Sequence, residues 1–446
     1  MQLFSTGNSN EITDFRTAVK QGLAPDGGLY FPKHLPRMPD DFWKEQIGLS
    51  MADKARLLFD ILLEEDFTPQ QRAEIVDRSF TFDAPVVALD EQIHVLELFH
   101  GPTLAFKDFG ARTMAAMLSL LAEEKGEQIT IVTATSGDTG AAVAHGFHKT
   151  PGVEVFVFYP AGQVSLIQEK QFATLGDNIT ALEVDGNFDD CQRLVKACFA
   201  DKVIRSEKQL TTANSINIAR LLPQMVYYIH AAVELLASNG NPTGLTGRSF
   251  GEAPLSGELV CSVPSGNFGN LTAGLMAHKM GIPVSRFIAA TNMNHVVPDY
   301  LQEGVYRPRA SLRTISNAMD VGDPSNFNRM LQLYDNDRQQ MAGVVNGAWF
   351  DDERTSQAIV EVWKKFGYLM DPHTAVSYLG CLEYLDRDNH GLILATAHPA
   401  KFPDTINKLL PGVLETPERL TRIAGRAKQS IPVSADMEEI RSILLQ

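Results

Sequence analysis

From about residue 91 the chain alternates short, β-branched apolar runs with longer stretches whose apolar positions recur at helical spacing. That alternation is the signature of mainly parallel sheet layered by helices. Ile129-Thr130-Ile131-Val132-Thr133-Ala134 predicts a strand, followed by a Ser/Gly/Asp/Thr turn and an Ala-rich helix to about residue 148. Further strands are expected at 153–159 and 179–184, with helices at 164–175 and 189–200. A long helix is expected over 216–236, and the Gly/Pro/Ser/Asn-rich stretch 239–257 then reads as a surface loop. The alternation resumes with a strand at 258–263, a Gly-rich turn, a helix to about residue 280 and a strand at 287–291. One more buried strand is expected at 391–396.

Upstream the pattern differs. Turn signals such as Ala24-Pro25-Asp26-Gly27-Gly28-Leu29-Tyr30-Phe31-Pro32 mix with an amphipathic run over 51–65. The expected fold class is therefore α/β: two layered α/β domains with a cleft between them, plus an N-terminal accessory domain. The boundaries are set at 1–90 for the accessory domain, 91–215 for a smaller α/β domain and 216–446 for a larger one. A chain of 446 residues exceeds the size at which one core stops growing, which agrees with this division.

Composition narrows the function. A formal net charge of −15 repels nucleic acid and anionic membrane surfaces, so neither is expected as a partner. A small anionic substrate remains compatible, because a local pocket of basic side chains and N–H groups can be positive inside an acidic protein. Cys191, Cys198, Cys261 and Cys381 have no CxxC spacing and read as reduced, buried thiols. The first residues lack a basic region followed by an apolar one, and no apolar run could span a bilayer, so a cytoplasmic protein is expected.

Candidate chemistry gathers at four turns. In His100-Gly101-Pro102-Thr103-Leu104-Ala105-Phe106-Lys107-Asp108-Phe109, Lys107 falls near the first turn of a helix between two phenylalanines. A positive helix terminus and apolar neighbours both disfavour its ammonium form and make the amine a better nucleophile. The plain alternative is a solvated Lys–Asp surface pair. Ser265-Gly266-Asn267-Phe268-Gly269-Asn270 lies between a strand and a helix, suited to closing around a phosphate or to serving as an ordinary turn. Thr135-Ser136-Gly137-Asp138-Thr139-Gly140 is a second such turn, read either as an anion site or as a helix cap. In Asn214-Ser215-Ile216-Asn217-Ile218-Ala219-Arg220, polar residues open a long helix with Arg220 one to two turns inside it, matched to phosphate or carboxylate or simply exposed. His145 and His148 lack a HExxH context, and neither a GxSxG elbow nor a Walker-type GxxxxGK[ST] loop is present, so no metal site, hydrolase or nucleotidase is read.

Taken together and in this order, the motifs resemble the fold type II pyridoxal-phosphate enzymes, the tryptophan synthase β-like family, and within it the threonine synthases. The stretch from Pro25 to Pro32 is similar to the N-terminal signature of that group. The resemblance implies pyridoxal 5'-phosphate as cofactor, with Lys107 binding it covalently and serving as acid and base. It implies Gly266, Asn267, Phe268, Gly269 and Asn270 around the cofactor phosphate, Thr396 as the hydroxyl partner of the pyridine nitrogen, and Asp138 beside the ring. An acid at position 138 would need a shared proton or a counterion. Thr135, Ser136, Asn214, Ser215 and Arg220 fall where related synthases bind the phosphate of O-phospho-L-homoserine. The implied activity is a lyase reaction, γ-elimination of phosphate followed by β-hydration to L-threonine, closing threonine biosynthesis in a monomer or homodimer. A fold type II serine/threonine dehydratase or a phosphoamino-acid lyase would share Lys107 and the glycine loop. A catalytically silent binding homologue is the reading from outside enzymology.

Overall fold

The computed structural model describes residues 1–237 and 257–446, so the expected loop at 239–257 lies outside the described residues except for Gly257. Two sheets organise the chain. In the five-stranded sheet the order is Ile431–Val433, Ile179–Val184, Val153–Pro160, Ile129–Ala134 and Gln209–Thr211. Every pairing in it is parallel. In the six-stranded sheet the order is Val345–Trp349, Arg286–Thr291, Leu259–Pro264, His390–Ala395, Ile93–Glu97 and Val86–Ala88. Only its last pair is antiparallel. All six residues of Ile129–Ala134 and of Leu259–Pro264 are buried, as strands covered by helices on both faces must be.

The helices follow the expected pattern with sharper ends. The run at 51–65 forms Met51–Leu63, capped by the Ser50 hydroxyl on the Asp53 N–H and burying Ala55, Leu58, Phe59 and Leu62. Helix Leu166–Phe172 is shorter than the expected 164–175, because Ser165 caps it and the turn following Phe172 is not helical. Asn187 and Asp190 close a capping box at the start of Phe188–Ala200. The N-terminal segment carries an antiparallel sheet ordered Ile12–Asp14, Gln2–Ser5 and Tyr30–Pro32.

The six-stranded sheet crosses the boundaries expected at 90/91 and 215/216, and the five-stranded sheet crosses the second of them. Val86–Ala88 and Ile93–Glu97 belong to the six-stranded sheet with His390–Ala395, while Ile431–Val433 closes the edge of the five-stranded one. A strand joins whichever sheet edge pairs its backbone and covers its apolar side chains, and adjacency in sequence does not enforce that choice. Among the described residues, no helix is long and apolar enough to cross a membrane.

The consequence for function lies at the strand ends. Thr135 follows Ile129–Ala134, Ser265 follows Leu259–Pro264, and Thr396 follows His390–Ala395. All are carboxyl ends of parallel strands, where open α/β sheets bind ligands.

Candidate active site

Lys107 is the first residue of helix Lys107–Lys125. The segment before it is stitched to the end of strand His390–Ala395. The Leu98 N–H donates to Ala395 O at 2.9 Å, the Phe106 N–H to Thr396 O at 2.9 Å, and the His398 N–H to Leu104 O at 3.0 Å. Thr396 is thus fixed beside the lysine turn. Asp108 does not form a surface pair with Lys107. It is buried, and its carboxylate accepts the Thr103 N–H at 2.8 Å and the Thr103 hydroxyl at 2.7 Å, fixing the turn ahead of the helix. Burial pushes the Asp108 carboxyl up to about 6 despite these bonds.

Lys107 is half-buried as a residue, and its amine is enclosed by protein. Burial lowers its pKa to about 8; the Asp138 carboxylate opposes this, and the Lys401 and Arg220 cations add to it. Burial therefore outweighs every individual charge, and the two cations act in the same direction as the positive helix terminus on which Lys107 stands. The Phe106 ring centroid lies 5.9 Å from Nζ.

At the turn after Ile129–Ala134, the Thr135 hydroxyl oxygen accepts the N–H groups of Gly137 at 2.9 Å and Gly140 at 2.7 Å. It is both helix cap and a hydroxyl with its own proton still to donate. Ser136 is half-buried next to it. Gly137 has φ +141°, and a Cβ there would lie 2.6 Å from the Gln168 amide, so glycine is required. Asp138 begins helix Asp138–Phe147 and is buried. Its Oδ1 pairs with Lys401 Nζ at 2.7 Å and accepts from Gln168 Nε2 at 2.8 Å. Burial pushes its carboxyl up, but Lys401, Lys107 and Gln168 together outweigh this and hold it well below the usual carboxylate range. The counterion that an acid at this position requires is Lys401.

The loop after Leu259–Pro264 has no charged side chain. Phe268 adopts φ +60° at the start of helix Gly269–Met280, a left-handed conformation that turns the chain into the helix. Gly266 packs so closely that a Cβ would lie 2.7 Å from Ala318 O and 2.8 Å from Met319 Cα. His373 supports that contact from behind: its Nε2 accepts the Ala318 N–H at 3.2 Å while Nδ1 faces Asp371 at 2.7 Å. The Asn267 amide donates to the Ser215 hydroxyl at 3.1 Å and accepts the Ser325 N–H at 2.8 Å. The Asn270 Oδ1 accepts the hydroxyls of Tyr227 at 2.5 Å and Tyr228 at 2.7 Å, whereas its Nδ2 is buried without a partner.

The fourth turn departs from expectation in one respect. Asn217 Oδ1 accepts the Ala219 N–H at 3.0 Å, so the helix begins only at Ile218 and Arg220 lies in its first turn rather than one to two turns inside. Arg220 is buried. Its guanidinium donates to Ala213 O and, at 3.4 Å, to Lys107 O, with Nε unpartnered and packed against Gly110. Burial lowers its pKa to about 10, and among the described residues no carboxylate pairs with it. The Asn214 amide oxygen accepts the Thr133 hydroxyl. Ser215 Oγ, held by Asn267, also accepts from Asn326 Nδ2 at 3.3 Å.

The four turns therefore adjoin one another. Residue-by-residue reading did not find Lys401, Gln168, the tyrosine pair under Asn270, or Arg329. Arg329 is fully buried and donates to Tyr30 O at 3.0 Å, Ser215 O at 3.2 Å and Ile216 O at 2.6 Å, tying the N-terminal signature to the Ser215 turn. A signal for Lys401 was present: a lysine amid Ala397-His398-Pro399-Ala400 and Phe402, just beyond a buried strand.

These residues fit pyridoxal phosphate. An amine of lowered pKa at Lys107, a neutral buried hydroxyl at Thr396, an uncharged glycine loop ending at a helix N-terminus, and an orphaned buried amide at Asn270 offer a nucleophile, a ring partner and phosphate donors. Fold and site together define a fold type II pyridoxal-phosphate enzyme. Residues 83–395 match the pyridoxal-phosphate dependent enzyme family, residues 2–80 the threonine synthase N terminus, and residues 374–444 the threonine synthase C-terminal family. The chain is 42% identical over 445 residues to threonine synthase of Escherichia coli (strain K12), covering 100% of this chain and 99% of that one. It is similar to the crystal structure of the E. coli enzyme with TM-score 0.90 and 41% identity, covering 100% of this chain and 99% of the other. The structure of PLP-bound threonine synthase from Brucella melitensis matches with TM-score 0.90 and 32% identity, covering 100% and 99%. The chain belongs to the threonine synthase family and is a pyridoxal-phosphate-dependent lyase.

Proposed function

We propose that this enzyme converts O-phospho-L-homoserine and water to L-threonine and inorganic phosphate, with Lys107 as the covalent cofactor lysine and the acid and base of the reaction. The observation that supports the reading best is the position of Lys107: an enclosed amine of lowered pKa on a half-buried residue, fixed by the Phe106 N–H bond to Thr396 O. Bound there, the cofactor supplies an electron sink for the carbons of the substrate. The loop Gly266, Asn267, Phe268, Gly269 and Asn270 would hold its phosphate, Thr396 its pyridine nitrogen, and Asp138 would lie beside the ring.

With the cofactor and substrate bound, the Lys107 amine would take the proton from Cα and then move a proton from Cβ, as phosphate leaves from Cγ. A water adds its oxygen at Cβ, and protonation at Cα and Cγ completes threonine. Thr135 and Ser136 offer hydroxyl donors, and Asn214 and Ser215 adjacent polar groups, to the departing phosphate. The uncompensated charge of Arg220 raises the potential there, and its bonds to Ala213 O and Lys107 O hold the phosphate side in register with the lysine. Four unpaired, buried thiols fit a reducing compartment, and the enzyme is assigned to the cytoplasm.

The test is to incubate the purified enzyme with O-phospho-L-homoserine and follow phosphate and threonine together, with Lys107→Ala as control. Equal amounts of both, lost in the control, support the reading. Phosphate accompanied by a keto acid would make the enzyme an eliminating lyase that does not hydrate, and the proposal would fail.

A further inference from the structure

Lys401 lies outside every turn just described, in the short helical turn Pro399–Lys401 beyond the strand that supplies Thr396. Its side chain is fully buried, and its ammonium touches two acceptors: Asp138 Oδ1 at 2.7 Å and Thr103 O at 2.9 Å. Thr103 belongs to the turn that Asp108 fixes ahead of Lys107. One cation thus joins the carboxylate at the mouth of helix Asp138–Phe147 to the backbone that aims Lys107.

A buried lysine is costly unless it is paired and hydrogen-bonded, and a nonpolar residue would fill this position without that cost. The pairing here is intimate, and its location is specific. The ionisable groups around the pair are Lys107 beside Asp138, and Asp108 and His145 near Lys401, with Arg220 acting on Lys107; burial lowers the His145 pKa to about 4 so that it stays neutral.

We infer that Lys401 is a positioning residue of the reaction, acting through Asp138: the ion pair keeps Asp138 a carboxylate in one orientation and adds no net charge of its own beside Lys107. This rests on Lys107 being the cofactor lysine. The pair sets how readily the nitrogen joining Lys107 to the cofactor takes a proton. Removing Lys401 alone leaves an uncompensated negative charge and favours the protonated form. Removing the charge of Asp138 alone leaves an uncompensated positive charge and disfavours it. Removing both restores neutrality.

The experiment uses the resting holoenzyme without substrate and reads the ratio of protonated to unprotonated cofactor absorbance across a pH series. Wild type is compared with Lys401→Met, Lys401→Arg, Asp138→Asn, the double variant Lys401→Met/Asp138→Asn, and Lys107→Ala. The expected result is a crossed pattern: the ratio rises in Lys401→Met, falls in Asp138→Asn, and returns towards wild type in Lys401→Arg and in the double variant, with shifts equivalent to about one pH unit. A ratio unchanged in Lys401→Met overturns the inference. If that variant does not fold, the double variant against Asp138→Asn decides instead, because both lack the buried acid: a higher ratio in the double variant supports the inference and an equal ratio overturns it. Persistence of the titrating absorbance in Lys107→Ala would overturn the lysine assignment and this inference with it. Its loss there, combined with unmoved ratios in the Lys401 series, would overturn this inference alone.

Discussion

The two Gly-containing strand-to-helix turns look alike in sequence and differ in electrostatics. The turn at 135–140 brings its own anion: Asp138 stands at the helix N-terminus and is neutralised by Lys401. The loop at 265–270 has no anion, no cation and one buried amide N–H without an acceptor. Helix N-termini favour negative charge in both cases. The first has that charge built in and can spare only its hydroxyls, Thr135 and Ser136, for a ligand. The second carries no such charge and keeps the Asn270 amide N–H without a protein acceptor. Similar glycine patterns can therefore carry opposite electrostatics, and the charge inventory, not the glycines, separates them.

The largest way to break the comparison is to strip the counterion from the first turn. Lys401→Met should cost roughly 3–5 kcal/mol by leaving Asp138 buried and unpaired, read as a lower denaturation midpoint at unchanged m. The double variant Lys401→Met/Asp138→Asn should regain most of that loss. If the single variant is as stable as wild type, the pair is not buried as described.

A smaller effect is expected from Gly266→Ala in the second loop. Its Cβ would meet backbone atoms at Ala318 and Met319, which cannot swing aside. A loss of about 1–3 kcal/mol is expected, together with weaker cofactor retention on dialysis. Retention equal to wild type would show that the loop can relax without disturbing the phosphate site.

Smaller again is Thr135→Val, which keeps the shape but removes the acceptor for two N–H groups. A loss of about 1 kcal/mol in thermal or chemical denaturation is expected, with no effect on cofactor binding. Equal stability would mean that the helix start is capped without Thr135.

The remaining effect is a pH dependence in the cofactor-free protein. A lysine lowered from 10.5 to about 8 binds fewer protons folded than unfolded between those values. Lys107 therefore destabilises the fold fully below about pH 8, and that penalty is relieved as pH rises towards 10.5. Relative to Lys107→Met, wild type should gain stability across that window, and a constant difference between the two would contradict the lowered pKa.

Much of this architecture could be read from the chain alone. The strands at 129–134 and 179–184 and the long helix ahead of residue 237 were legible because burial on both faces and helical periodicity leave direct marks on sequence. The short strands Gln209–Thr211 and Ile431–Val433 were not, since three residues carry no period and their pairing is chosen by a distant sheet edge. At the site, Lys107 and the glycine loop stood out through local chemistry. Lys401 and Arg329 did not. Each acts on residues far away in sequence, Lys401 on Asp138 and Thr103, Arg329 on Tyr30 and Ser215, and such contacts exist only after folding.

The most direct test of the central claim is to reduce the resting holoenzyme with borohydride, digest it, and locate the cofactor-modified lysine by mass spectrometry. The account predicts a single modified peptide carrying the cofactor on Lys107. Modification of Lys401 or of any other lysine in place of Lys107 would contradict it.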